Sequence, residues 1–495
     1  MESNGKPGKV QISEDTAKLL ASDGKESWYY PREDKIHAKG KGTLQTYWLK
    51  EQRLARISRQ PSTGASIWMH LEDVMNLQEK RLQEWAVQNL ELLLKRIVAS
   101  SGVSLDFTST TKVASQLTPI LDNSFSSNYS VGSYDSSSFG YREKEESVLE
   151  ELKARPTFEV PSKPVIPARV DAVEIPPTIA VELKGFIEEL CTNYQSNPFH
   201  CMLHALHVAQ SMVILMEHLS KSNDLLRNDP LAQLSVLLSC LVRDLDNPGV
   251  SNQQLMKEDV EMAEYFHRTG ATQQNALDVA WELLTGSSCS NLLKAFCSNS
   301  QAELDRFRCY MVHGVMATDL EDRDLQYLRF QRWKTADYMT SADRSIVIIE
   351  QCMQFSDLLH MVQADEFCSN WTERSFREQY LAYIKGRKDE DPCLTFFGSH
   401  LNSFQKDVIP LAERFVEEGK GEGFDDRQCV LGSCPELLRR AKANVNNWKE
   451  KGQERVLEMS RSAKYEFGEK PIGDVDVGRN NSDDDEESSD NSKNN

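Results

Sequence analysis

The sequence predicts an all-α main body preceded by a short α/β fragment, and three observations carry that prediction. Apolar residues recur at three- and four-residue intervals almost without interruption from Thr178 to about Arg455. No stretch of that region alternates apolar and polar residues for long enough to build a sheet. The breaks that occur are helix punctuation: Pro230 where a first-turn proline is tolerated, and Asn247-Pro248-Gly249 where the chain must turn.

Taken in order, residues 1–50 open with Val10 to Leu20, which reads as a strand and then a helix, Ser13 serving as N-cap before Glu14 and Asp15. Lys39 to Leu49 reads as a turn entering an aromatic, β-branched strand. This piece is too small to bury a core of its own. Residues 66–98 form a connector helix, with Leu71, Val74, Met75, Leu77, Leu82, Trp85, Ala86, Leu90, Leu93, Leu94 and Ile97 at helical spacing. That stripe either docks on the main body or forms a homodimer seam. Residues 99–160, largely Ser, Thr, Asn and Gly without a sustained period, read as a flexible linker. The main domain occupies 165–455, with helices expected over Ile179–Asn193, from the histidine run to His218, and over Pro230–Arg243, Gln274–Leu284, Ala302–Ala317, Ser345–Phe355, Glu366–Ile384 and Leu401–Glu417. Residues 456–495 read as an acidic disordered tail containing Asp483-Asp484-Asp485-Glu486-Glu487.

Composition excludes several classes. A net charge of −19, from 57 basic and 76 acidic residues, argues against a nucleic-acid binder or an anionic-membrane binder. Hydrophobic content of 39% with eight tryptophans suffices for a sizeable core, although a mean hydropathy of −0.53 implies polar segments beside it. Eleven cysteines without a C-x-x-C pair, and no secretory signal, point to reduced thiols in the cytoplasm. Apolar runs such as Met212 to Met216 fall far short of the ~18 residues of a membrane span.

The chemistry concentrates in three places. His200, His204 and His207 lie at i, i+4 and i+7, one face of a helix if all three are helical. Arg243-Asp244-Leu245-Asp246-Asn247-Pro248-Gly249 follows a mostly apolar run, and Ser356-Asp357 ends another. Imidazole and carboxylates delivered by apolar helices suit a divalent ion such as Zn²⁺, Mg²⁺ or Mn²⁺.

These blocks, together with Glu303-Leu304-Asp305-Arg306, Met316-Ala317-Thr318-Asp319 and Ile409-Pro410-Leu411-Ala412, resemble the class I 3′,5′-cyclic-nucleotide phosphodiesterases over roughly Ile175 to Trp448. The resemblance implies a compact, HD-type multi-helix domain that hydrolyses cAMP or cGMP at paired Zn²⁺ and Mg²⁺ or Mn²⁺ ions in cyclic-nucleotide signal transduction. It implies His200 as general acid and His204, Asp244 and Asp357 as metal ligands, with His207, Asp246, Asn247 and Gln273 as supporting neighbours. In the N-terminal piece, Ile12 to Ala17, Pro31-Arg32-Glu33 and Lys39 to Leu49 resemble the C-terminal end of a class III nucleotide cyclase domain, in which Lys39 or Lys41 would reach nucleotide phosphates.

The departures from that family fall on its chemistry. Its motif reads His-Asp-x-Asp-His-Pro-Gly, whereas Arg243 and Asn247 stand at the two histidines, the first of them a metal ligand. Arginine stays charged and has no acceptor, so it cannot ligate a cation. In the nucleotide pocket, His400 falls on the family's base-gripping glutamine and Ser403 on its stacking phenylalanine, with Phe404 as a partial substitute. Gln273 stands for an acid, and Cys201 for the asparagine after the general acid. These exchanges favour a catalytically impaired relative, acting as a binding or regulatory module, over an active hydrolase.

Overall fold

The structure is a computed structural model that describes residues 11–22, 29–32, 34, 36–38, 42–49, 64–102, 105, 148–161, 167–219, 227–336, 339–415 and 435–468. It divides into two compact units, Met1–Lys80 and Arg81–Asn495. Lys39, Lys41 and the run Asp483 to Glu487 lie outside the described residues.

In the first unit, β1 (Gln11–Ser13) leads directly into α1 (Glu14–Ser22). The Ser13 hydroxyl accepts from Thr16 N at 3.2 Å, the cap that the sequence predicts. The strands β2 (Tyr29–Pro31), β3 (Ile36–Ala38), β4 (Gly42–Leu44) and β5 (Thr46–Leu49) follow. β5 pairs antiparallel with both β1 and β2, so Trp48 faces Gln11 on one side and Tyr30 on the other. Ile12, Ala17 and Trp48 are buried, and the Arg32 guanidinium lies 4.8 Å from the Trp48 ring centroid.

The connector helix is α2 (Gly64–Ser101). Within the second unit its Ala86, Leu90, Leu93, Leu94 and Ile97 are buried in the core of that unit. The expected dimer seam therefore does not run through 86–97, because those residues are already covered. Arg96 Nη1 fixes the docking by donating to Gln233 Oε1 at 2.5 Å. The expected flexible linker is also interrupted. α3 (Val148–Lys153) buries Leu152, and its Glu151 pairs with Arg308 at 2.5 Å while Arg332 holds the Leu152 carbonyl. Burial of one leucine and two guanidinium contacts order a segment whose composition alone reads as polar.

The main body runs through α4 (Pro167–Asp171), α5 (Pro177–Thr192), α6 (Met202–Leu219), α7 (Pro230–Val242), α8 (Asn252–Glu258), α9 (Val260–Tyr265) and α10 (Ala271–Thr285). It continues with α11 (Ser290–Phe296), α12 (Gln301–Met316), α13 (Arg323–Thr335), α14 (Ser341–Leu358) and, past a 3₁₀ turn at Leu359–Val362, α15 (Asp365–Ile384). α16 (Pro392–Ser403) passes through a π-helical turn, Phe404–Val408, into α17 (Ile409–Arg414), and α18 (Pro435–Phe467) closes the described chain. α18 extends past residue 455 because Val456, Met459 and Ala463 continue its buried face, so the expected tail begins later than 456.

α7 is the central element. Asp229 caps it, accepting from Ala232 N at 3.1 Å, and all thirteen of its residues are buried among α6, α12 and α14. Its two buried serines do not strand their hydroxyls, since Ser235 donates to Leu231 O and Ser239 to Ser235 O. The crossing with α12 requires a glycine. A Cβ on Gly314 would lie 2.6 Å from Ser239 Oγ. This close packing brings the C-terminal ends of α7 and α14 and the N-terminal end of α6 to one place.

Candidate functional site

α6 begins at Met202, so His200 is not on the helix that carries His204 and His207. The expected single face of three histidines is thus corrected: Asn197 N bonds Gln195 O and Cys201 N bonds Phe199 O, tight turns that keep His200 ahead of the helix. His204, in the first turn, is 1% exposed. Its ring lies between those of Phe199 and Trp371, with centroids 4.3 and 4.6 Å away. His207 packs against Phe367 and Trp371, at 5.2 and 5.4 Å, and takes a packing role.

Arg243, at the C-cap of α7, turns inward and is 1% exposed. Its Nε donates to Asp357 Oδ1 at 3.0 Å, and Nη2 lies 2.6 Å from the same oxygen. Nη2 is also 2.9 Å from Asp244 Oδ2 and 2.7 Å from His204 Nδ1, while Nη1 donates to Cys240 O at 3.3 Å. The Asp244 contact is an ion pair without an aligned hydrogen bond. One guanidinium therefore engages His204, Asp244 and Asp357, all three of the ligands that the sequence proposes.

Electrostatics keep the arrangement charged in one sense. Burial disfavours the Arg243 cation, but Asp244 and Asp357 more than compensate and hold its pKa above the ordinary value. Burial and then the neighbouring guanidinium push His204 well below its ordinary value, so it is a neutral ring accepting at Nδ1. That tautomer leaves the proton on Nε2, a buried atom without a hydrogen-bond partner among the described residues. The residues present do not fit a metal ion at this point. A fixed cation already takes the acceptors, and among the described residues no three His, Cys, Asp or Glu side chains are grouped to hold one.

His200 stands beside this cluster with a partner that sequence reasoning missed. Glu378, on α15, accepts from the backbone N–H groups of Phe199 and His200, both at 2.9 Å, and its Oε1 meets His200 Nδ1. Burial works against a charged ring, yet Glu378 and Asp244 outweigh it and raise the His200 pKa to about 9. The signal was present in the sequence: Trp371, Glu378 and Ala382 share the buried face of α15. A lone acid on such a face needs a partner. His360, also unforeseen, donates from Nδ1 to Asp357 O, 3.0 Å away, and its ring lies 5.4 Å from that of His204.

The supporting residues divide. Asn247 still serves Asp244, donating from Nδ2 to Oδ1 at 3.3 Å, and its Oδ1 accepts from Gly249 N at 2.9 Å. Replacing a histidine there therefore leaves a hydrogen bond to the carboxylate in place. Asp246, in a left-handed conformation (φ 52°), is held by Gln195 at 2.6 Å and Asn275 at 3.4 Å. Gln273 does not reach the cluster. Its Oε1 accepts from Asn252 and Thr272, each at 2.9 Å, which corrects the expected role beside the acids.

The nucleotide-pocket residues are likewise placed differently from expectation. His400 is packed among Phe396, Trp448 and Phe404, and burial lowers its pKa to about 3. Phe404 is 1% exposed, so it presents no face on which a base could stack. The Ser403 hydroxyl donates back to Ser399 O. The cause is the π-helical turn after Ser403, which buries Phe404 beneath α18.

His200, His204, Asp244 and Asp357 thus converge from separate segments of an all-α domain. Residues 199–416 match the family model described as 3′5′-cyclic nucleotide phosphodiesterase. Residues 1–51 match the adenylate and guanylate cyclase catalytic domain. The chain is 26% identical over 206 residues to the "probable 3′,5′-cyclic-AMP phosphodiesterase pde-4" of Caenorhabditis elegans, covering 40% of this chain and 30% of that protein. It is 21% identical over 270 residues to the "cGMP-specific 3′,5′-cGMP phosphodiesterase 3" of Dictyostelium discoideum, covering 54% and 55%. The chain thus spans about half or less of the length of these relatives. Among solved structures, the phosphodiesterase domain of Salpingoeca rosetta rhodopsin phosphodiesterase matches at TM-score 0.44 and 17% identity, over 57% of this chain and 83% of that one. Among the described residues no helix is long and apolar enough to cross a membrane.

Proposed function

We propose that this chain is a phosphodiesterase-family module that has exchanged catalytic metal for a fixed arginine and regulates cyclic-nucleotide signalling without turning substrate over. One observation carries the reading: the Arg243 guanidinium holds His204, Asp244 and Asp357 together. Hydrolysis in this family depends on metal, and a buried guanidinium cannot polarise water as a metal ion does. Its binding partner is a cyclic nucleotide or a protein of the same pathway, and the cyclase-type segment at residues 1–51 supports a place in that pathway. A cytoplasmic setting is supported by the free thiols of all nine described cysteines.

A second reading, a slow but competent hydrolase, is favoured by the intact pairing of His200 with Glu378. Hydrolysis assays separate the two. The purified chain is incubated with cAMP or cGMP and with Mg²⁺, Mn²⁺ or Zn²⁺. The module reading expects no turnover above the chelator control. Chelator-sensitive turnover that disappears in His200→Ala overturns it. Self-association through the first half of α2 belongs to the same proposal, and sedimentation of the full chain tests it.

A further inference from the structure

A cavity lies between α13, α14 and the π-helical turn leading into α17. Its volume is about 290 Å³, and none of His200, His204, Arg243, Asp244 or Asp357 lines it. Its charge is anomalous. Arg323, Arg329, Lys406 and Arg414 contribute to the lining against one acid, Asp407, in a chain of net charge −19.

Gln354 is only 6% exposed, and its side-chain amide makes no hydrogen bond among the described residues although it borders the cavity. That amide is therefore open to a group that enters the cavity. Arg329 is 4% exposed and donates to two neutral acceptors, Met316 O at 2.5 Å and Asp319 O at 3.1 Å, so no carboxylate pairs with it directly. Burial holds its pKa below the ordinary arginine value, a penalty that an anion in the cavity would relieve. Arg323 and Lys406 are exposed and make no ion pair among the described residues. Beside them Tyr327, 66% exposed, offers an open ring one turn after Arg323 on α13.

We propose that this cavity binds a small phosphorylated ligand with a planar ring, of mononucleotide size. Arg323, Lys406 and the Gln354 amide meet the phosphate, and the ring lies on Tyr327. Two mobile cations at the mouth and a fixed one at the floor suit a dianion, and an exposed aromatic beside them suits a purine face. The volume is close to the lower end of ordinary ligand pockets at about 300 Å³, which suits a ligand of mononucleotide size.

The test is calorimetric titration of the full chain with 5′-AMP and, separately, with inorganic phosphate. Arg323→Ala with Lys406→Ala should weaken both ligands by about tenfold or more, with an unchanged melting curve because both side chains are exposed. Tyr327→Ala should weaken 5′-AMP but not phosphate. His200→Ala should change neither. Absence of binding to the native chain overturns the proposal, as does binding that survives the double substitution. Loss of 5′-AMP binding in His200→Ala would place the ligand at the other centre and overturns it equally.

Discussion

Replacing Arg243 by methionine removes one cation and leaves two buried carboxylates facing each other. The magnitude follows from the contacts. Asp244 and Asp357 lie 2.9 and 2.6 Å from Nη2, and their side chains are 8% and 20% exposed. At an effective dielectric of about 20, a unit pair near 3 Å is worth about 5 kcal/mol. Much of that is offset by desolvation, so breaking such a pair typically costs about 3–5 kcal/mol. With roughly 2–4 °C per kcal/mol for a domain of this size class, Arg243→Met should melt roughly 6–20 °C below the native chain. The pH dependence supplies a second check. Burial already holds the Asp357 carboxyl above its ordinary value, and without the guanidinium that opposes this it rises further. The loss should therefore be full near neutral pH and shrink as the pH falls through that raised value. Adding Asp357→Asn to Arg243→Met should recover part of the stability, because one of the repelling charges is gone. Thermal melts over pH 4–8 measure all of this. A single variant that melts within a degree or two of the native chain would refute the idea that the guanidinium holds the cluster together.

Glu378→Gln removes the partner that lifts His200 to about 9, so NMR titration should find the imidazole of the variant titrating well below that value. In the native chain the raised pKa contributes stability that is complete below about 6.5 and disappears as the pH rises through about 9. The stability gap between native chain and Glu378→Gln should therefore close above about pH 9. Gly314→Ala places a Cβ 2.6 Å from Ser239 Oγ and should destabilise by about 1–3 kcal/mol in denaturant unfolding, with partial relief from Ser239→Gly.

Periodicity made the helices legible, because the buried faces of α5 (Ile179, Leu183, Phe186, Ile187, Leu190) and α7 are written at helical spacing. The identity of the cluster was legible too, since Arg243 and Asn247 stood out in a motif whose other residues match. What sequence spacing could not reveal is direction. His200 falls outside α6 because of backbone turns rather than residue types. Whether Arg243 swings out or in depends on two carboxylates whose positions are fixed by other helices. Glu378 lies 178 residues from its partner, and Gln273 was drawn to Asn252 and Thr272 by contacts that no local pattern encodes. The π-helical turn Phe404–Val408, which lies between Ser403 and the Ile409-Pro410-Leu411 block, is likewise announced by no local pattern.

The central claim is that Arg243 occupies the place of a metal, and the metal content of the purified chain tests it most directly. Native chain and the variant Arg243→His with Asn247→His are incubated with Zn²⁺ or Mn²⁺, desalted and assayed by elemental analysis. The account predicts little bound metal in the native chain and about one equivalent in the variant, whose four His and Asp ligands would complete a site. An equivalent of metal in the native chain that is lost in Asp357→Asn would contradict it.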